Sequence, residues 1–328
     1  MNPVLHQFYN TPWTAFLFAA LVALWTSPYS QATHPSQEFK GHTDNVYALQ
    51  FSNKGDLLLT ASEDGTVRLW DVATGKTRLT FKHNVVVYDV AFSRDGKGIV
   101  SADGNNTVRI WDAKTGQQIR ALKGHTGPIY CIALSPNGKV VASGGGEEDN
   151  SVRLWEFSTG KKLGVLKNHS APVYGVAFSQ DGKLLVSSCS DQSVRVWDPR
   201  NGKELHVLKQ HTSHIYRCAY SPDNKILASV SQDKTVRLWD PRKGKQVEVL
   251  KGHLDPVYGV AFSPDGKQLA STGDDQTVKI WDVRSRKMVH SLKVHNDAVY
   301  AVAFTPDGKG ITCAGASGMV RLFDLPKK

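Results

Sequence analysis

The chain has 328 residues, 40% of them hydrophobic and 21% charged, with 40 Lys plus Arg against 30 Asp plus Glu for a formal charge of +10. That apolar share excludes a disordered or collagen-like chain and supplies material for a large core. The positive balance raises nucleic acid or another polyanion as a partner, a question decided by where the charges sit.

Residues 1–37 carry no Asp, Glu, Lys or Arg, and Ala15 to Trp25 is an unbroken apolar run. The run is too short to span a bilayer but has the length of a signal-peptide core. Pro28 breaks any helix, and Ser30-Gln31-Ala32 places small residues where a signal peptidase reads them. Residues 1–32 are therefore expected to be a cleavable signal peptide and 33–328 the exported protein, periplasmic or secreted. The absence of Lys and Arg ahead of the apolar run is the feature that favours the cytoplasmic alternative.

From residue 38 onwards the chain is periodic. Histidines at His42, His83, His125, His169, His211, His253 and His295 recur every 41 to 44 residues. Each is followed 28 residues later, 30 in the third unit, by an aromatic and an acidic residue, from Trp70-Asp71 through Trp155-Glu156 to Phe323-Asp324. Such a period marks a repeat architecture of seven units. Within a unit, short β-branched and aromatic runs alternate with turn residues, as in Val257 to Phe262, then Ser263-Pro264-Asp265-Gly266, then Leu269 to Ser271, then Asp274-Asp275, then Val278 to Trp281. Three strands and a fourth before the next histidine follow. Strands apolar on both faces need cover on both sides, which small sheets stacked round an axis provide for one another.

A Gly-His followed by Trp-Asp at about 42-residue spacing resembles the WD-repeat β-propeller family, over residues 38 to 328. The resemblance implies an all-β, seven-bladed propeller of four-stranded antiparallel blades. It also implies a shared blade, in which the N-terminal stretch Gln37 to Lys40 completes the sheet of the last repeat.

Each repeat also sets a hydroxyl, a histidine and a carboxylate at matching offsets. The resemblance implies that these join the indole in a buried structural network: His42, Thr60, Asp64 and Trp70; His169, Ser187, Asp191 and Trp197; His211, Ser229, Asp233 and Trp239; His253, Ser271, Asp275 and Trp281. A catalyst needs one such set, not a series, so no catalytic residue and no enzyme activity are expected. No two histidines stand at ligand spacing, and no metal or other cofactor is expected. The second repeat departs from the pattern with Asn105 at the carboxylate position. The seventh does so with Cys313, Ser317 and Phe323, which makes it the blade expected to open first. The four cysteines, Cys131, Cys189, Cys218 and Cys313, have no C-x-x-C spacing and read as small apolar residues.

Five residues after every histidine stands a tyrosine: Tyr47, Tyr88, Tyr130, Tyr174, Tyr216, Tyr258 and Tyr300. In the geometry the resemblance implies, they ring the channel mouth on the face of the histidine loops. Aromatic faces and hydroxyls there would receive an Arg or Lys side chain of a partner. Glu63, Asp274 and a flexible acidic loop, Gly144 to Asp149 with Glu147 and Glu148, are expected on the same face. Lys and Arg fall at repeated positions round the ring, which disfavours the nucleic-acid alternative because a polyanion needs a continuous stripe. The expected function is a monomeric, non-catalytic scaffold for a protein or a peptide with a basic segment.

Overall fold

The computed structural model describes residues 30–32 and 34–325, so residues 1–29 of the expected signal peptide lie outside the described residues. Seven antiparallel sheets close into a ring. From channel to rim, blade one contains Val46–Phe51, Leu57–Ser62, Thr66–Asp71 and Thr77–Lys82. Blades two to six repeat that order from their inner strands Val87–Phe92, Ile129–Leu134, Val173–Phe178, Ile215–Tyr220 and Val257–Phe262. Blade seven contains Val299–Phe304, Gly310–Gly315 and Val320–Asp324, and its rim strand is Gln37–Phe39, antiparallel to the last of these with Phe39 opposite Val320. The ring is thus closed by the N-terminal strand.

The core consists of seven layers, one between each pair of adjacent blades. Val67, Leu69 and Phe81 of blade one meet Val87, Ile99 and Trp111 of blade two, and the same arrangement recurs round to blades seven and one. This is why a strand such as Gly98–Asp103 is buried along its whole length. Ring closure rests on the same packing. Phe39, 1% exposed, sits edge-on against Trp70 with ring centroids 5.8 Å apart, a burial that contributes roughly 2–3 kcal/mol.

One element differs from expectation. Ser30–Ala32 forms a fifth strand on blade six, parallel to its rim strand Lys287–Lys293, with Ser30 opposite Ser291 and Ala32 opposite Lys293. Among the described residues no helix is long and apolar enough to cross a membrane.

Candidate partner-binding site at the channel mouth

The buried polar chain runs through successive blades. In blade one the Trp70 indole N–H donates to Thr60 Oγ1 at 2.8 Å, Thr60 Oγ1 lies 2.7 Å from His42 Nε2, and His42 Nδ1 lies 2.7 Å from Asp64 Oδ2. The indole can only donate, so the hydroxyl proton goes to Nε2 and the neutral imidazole donates from Nδ1 to the carboxylate. Matching chains join Trp197, Ser187, His169 and Asp191; Trp239, Ser229, His211 and Asp233; and Trp281, Ser271, His253 and Asp275. The hydroxyl residues are fully buried, out of reach of any substrate. Burial pushes each histidine below its ordinary value of 6.5. Burial opposes ionisation of Asp64, yet hydrogen bonds from His42 and Thr66 outweigh it and hold the carboxyl well below the carboxylate range.

Blade two corrects the expectation about Asn105. The carboxylate there is Asp103, whose Oδ2 lies 3.0 Å from His83 Nδ1 and accepts from Arg109 Nε at 2.8 Å. Asp103 stands two residues earlier in sequence but is the last residue of its strand, where its Oδ1 accepts from the Asn105 and Thr107 N–H groups at 3.0 and 3.2 Å, and the Trp111 indole and Ser101 hydroxyl complete the chain to His83. Blade three corrects a second expectation. Gly144 and Gly145 belong to the strand Val140–Gly145, and Asp149 is not part of an exposed acidic surface. Its side chain is buried 3.1 Å from His125 Nδ1 and pairs with Arg153 at 2.9 Å. Arg195, Arg237 and Lys279 approach Asp191, Asp233 and Asp275 in the same way, at 3.6 to 4.0 Å. The four-residue spacing of these pairs was the legible signal for them. In blade seven only Cys313 Sγ approaches His295 Nε2, at 3.4 Å.

Cys189, His169 and Asp191 bring possible ligand atoms within 4.8 Å of one another. Those atoms are already engaged. The Cys189 thiol donates to the Ala171 carbonyl at 3.1 Å and accepts from the Asp191 N–H at 3.2 Å, as the Ser231 hydroxyl does with Ser213 and Asp233. The thiol replaces a serine.

The tyrosines lie where the inner strands break register. In every blade the inner strand carries a β-bulge centred on the tyrosine, between Val46 and Ala48 in blade one and between Val299 and Ala301 in blade seven. The bulge takes the residue out of the ladder and turns its side chain towards the axis. Seven rings then stand in a closed circle with neighbouring centroids 4.7 to 5.7 Å apart, from Tyr47–Tyr88 round to Tyr300–Tyr47. They enclose a cavity of about 320 Å³ floored by Arg217. Burial raises the phenol pKa values, to about 12 at Tyr174, so the hydroxyls stay protonated.

Carboxylates edge this cup. Tyr47 Oη donates to Glu63 Oε2 at 2.6 Å, and Tyr130 Oη donates to Glu147. The negative charge of Asp274 reaches Tyr216, Tyr258 and Tyr300. Glu148 is exposed on the loop beside Glu147, and no hydrogen bond ties its side chain to the ring. Gly146 lets that loop seat against the cup, since a Cβ there would lie 2.6 Å from the Tyr130 ring.

The floor was not foreseen. The residue after each tyrosine is Ala48, Asp89, Cys131, Gly175, Arg217, Gly259 or Ala301. Only Asp89 and Arg217 are charged, and they meet with 3.6 Å between Nη1 and Oδ1. Two opposite charges at one repeated position was the available signal.

All seven repeats match the model of the family described as "WD domain, G-beta repeat", over residues 33–71, 75–112, 116–156, 160–198, 202–240, 244–282 and 286–324. The chain belongs to the WD40 family. Each matched segment of this WD40 protein begins at the rim strand of one blade and ends in the third strand of the next, so 33–71 supplies the strand that closes blade seven. Among curated relatives, the chain is 43% identical over 49 residues to "Target of rapamycin complex subunit wat1" of Schizosaccharomyces pombe, covering 15% of this chain and 16% of that protein. It is 37% identical over 51 residues to "Target of rapamycin complex subunit LST8" of Saccharomyces cerevisiae, 16% and 17% of the two chains. Against "Serine-threonine kinase receptor-associated protein" of Bos taurus it is 44% identical over 41 residues, 12% of each. These matches span only about one repeat, less than a fifth of each relative's length.

Proposed function

We propose that this chain is a non-catalytic scaffold that binds a protein or peptide at the tyrosine cup and takes up a basic side chain there. The observation that carries the reading is the closed circle of seven bulge-directed tyrosines around a cavity edged by Glu63, Glu147 and Asp274. Aromatic faces attract a cation, and carboxylates at the edge supply the countercharge. Arg217, matched by Asp89, limits how deep a side chain can enter. Two relatives named as complex subunits and one as receptor-associated agree with a binding role.

The test replaces Tyr88, Tyr174 and Tyr258 together by Ala and compares affinity capture from the native host with that of the unaltered protein. Loss of one captured protein, with melting shifted by no more than a few degrees, supports the reading. Identical captures overturn it.

In the same reading the scaffold acts as a monomeric ring outside the cytoplasm after cleavage following Ala32. Cleavage there removes the strand Ser30–Ala32 and keeps the closing strand Gln37–Phe39. Terminal sequencing that found an intact Met1 would end the export proposal.

A further inference from the structure

On the face opposite the histidine loops, the rim strands of all blades but the sixth meet the hairpin between the third and fourth strands of the next blade, since blade seven takes its fourth strand from the N-terminus. A side chain fills the junction. A Cβ built on Gly116 of blade two would lie 3.7 Å from Leu79 of blade one, one on Gly160 would lie 2.6 Å from Arg120, and one on Gly244 would lie 2.7 Å from His206. Gln37 of blade seven packs on Gly75 in the same way, and Glu248 of blade five pairs with Arg286 of blade six at 3.3 Å. Between blades three and four the corresponding rim residue is Gly164. Leu166 still reaches the hairpin there, 3.1 Å from a Cβ on Gly202, but the side chain at the Gly164 position is missing at that one of the six junctions.

Its absence leaves a groove of about 800 Å³. Leu154, Leu163, Leu166, Phe178 and Pro199 line it, and Leu163 is 50% exposed. A Cβ on Gly164 would find only Leu154, at 4.0 Å, so the space is open and not taken by a neighbour. The charged groups at the edge are Arg94, Asp181 and Arg200. Asp181 faces Arg242 at 3.6 Å and Arg200 is held by Asp198 at 2.7 Å. Arg94 donates only to the neutral Pro136 carbonyl, at 2.7 Å, and no described carboxylate pairs with it. The groove therefore combines an apolar wall of Leu and Phe side chains beside Gly164 with polar groups from Ser135, Asn137, Gln180 and Asn201, and carries one uncompensated cation at its edge.

We infer that this groove docks an extended acidic segment of a protein partner by one large apolar side chain, which enters the space beside Gly164 while a neighbouring carboxylate meets Arg94. Burial of an apolar anchor supplies affinity and the charge pair sets the register. The site is separate from the tyrosine cup, and the two together would let the ring bridge two partners.

The experiment is fluorescence anisotropy of the full chain with labelled heptapeptides that carry a central Leu, Ile, Phe or Met between Asp and Glu residues. Saturable binding by at least one peptide is expected, weakened about tenfold or more by Ala at the centre, as deletion of a buried apolar side chain from a pocket does. Gly164→Leu refills the junction and should abolish binding without lowering the melting temperature, and Arg94→Glu should weaken it about tenfold. The triple tyrosine variant should bind as the unaltered chain does. Failure of every peptide, undiminished binding by a folded Gly164→Leu protein, preference for Lys-flanked peptides, or loss of binding in the tyrosine variant would each overturn the inference. Should Gly164→Leu not fold, Arg94→Glu decides.

Discussion

The Arg217 guanidinium of blade five lies 3.6 Å from the Asp89 carboxylate of blade two, and it also donates to the Tyr47 carbonyl of blade one at 3.0 Å. One side chain thus ties three blades across the channel just below the tyrosine circle. Asp89 is itself held by the N–H groups of Val90 and Ile132, at 3.0 and 2.9 Å.

Removing the cation should leave a buried carboxylate without its countercharge. Arg217 is partly exposed, so Arg217→Met is expected to cost about 1–3 kcal/mol, less than breaking a fully buried pair. Asp89→Asn keeps an acceptor for only one of the two N–H groups, because they reach different carboxylate oxygens, and the double variant should be less destabilised than the sum of the singles by about 1 kcal/mol. Denaturant melts of the four proteins measure this coupling; strict additivity would show the pair to be incidental.

The second blade offers a direct contrast between neighbouring residues. Asp103→Ala should lose about 2–3 kcal/mol, because it strips His83 and Arg109 of a buried acceptor. Asn105→Ala should change stability by less than about 0.5 kcal/mol, since Asn105 joins the turn only through its backbone. Equal losses in thermal melts would restore Asn105 to the network.

Acid should unfold the ring in two stages. The seven loop histidines are all held below 6.5 by burial, so an unfolded chain takes up protons that the native chain refuses. Stability is therefore complete above pH 6.5 and declines as pH falls, for His295 down to about 4. Asp64, Asp149, Asp191, Asp233 and Asp275 have lowered pKa values and extend the decline below their ordinary 3.8. Asp89, raised by burial, runs the other way but is a single group. A melting temperature flat between pH 7.5 and 5 would contradict the neutral-histidine network.

Blade seven should exchange its amide hydrogens first. His295 there has a weak thiol contact in place of a hydroxyl chain, Phe323 donates nothing, and the rim strand is the three-residue Gln37–Phe39. Hydrogen exchange followed by mass spectrometry should show peptides 299–324 opening ahead of those from blades one to six. Uniform protection would mean that closure costs the ring no local stability.

The period and the strand and turn composition determined the number of repeats and their all-β character by themselves, and the resemblance carried by the motifs implied the propeller and the strand that closes it. The histidine and the aromatic-acidic pair recur in all seven units, even where glycine or tryptophan is replaced, and short-range chemistry is what a one-dimensional reading resolves. Four of the polar networks were legible for the same reason, since a fixed offset of 22 residues between His and Asp recurs. That offset misled at Asn105, where the carboxylate is Asp103, and it would have missed Asp149, which sits 24 residues after His125 because the loop is two residues longer.

Only the tertiary structure decided what meets across the ring. Asp89 and Arg217 are 128 residues apart in sequence. Their pairing follows from equivalent positions in blades two and five converging on one axis, which no local pattern encodes. The tyrosine circle depends on seven bulges that turn the side chains inward, and a bulge is a property of paired strands. Gly164 reads as an unremarkable strand glycine until the next blade's hairpin is placed opposite it and the space it leaves has walls.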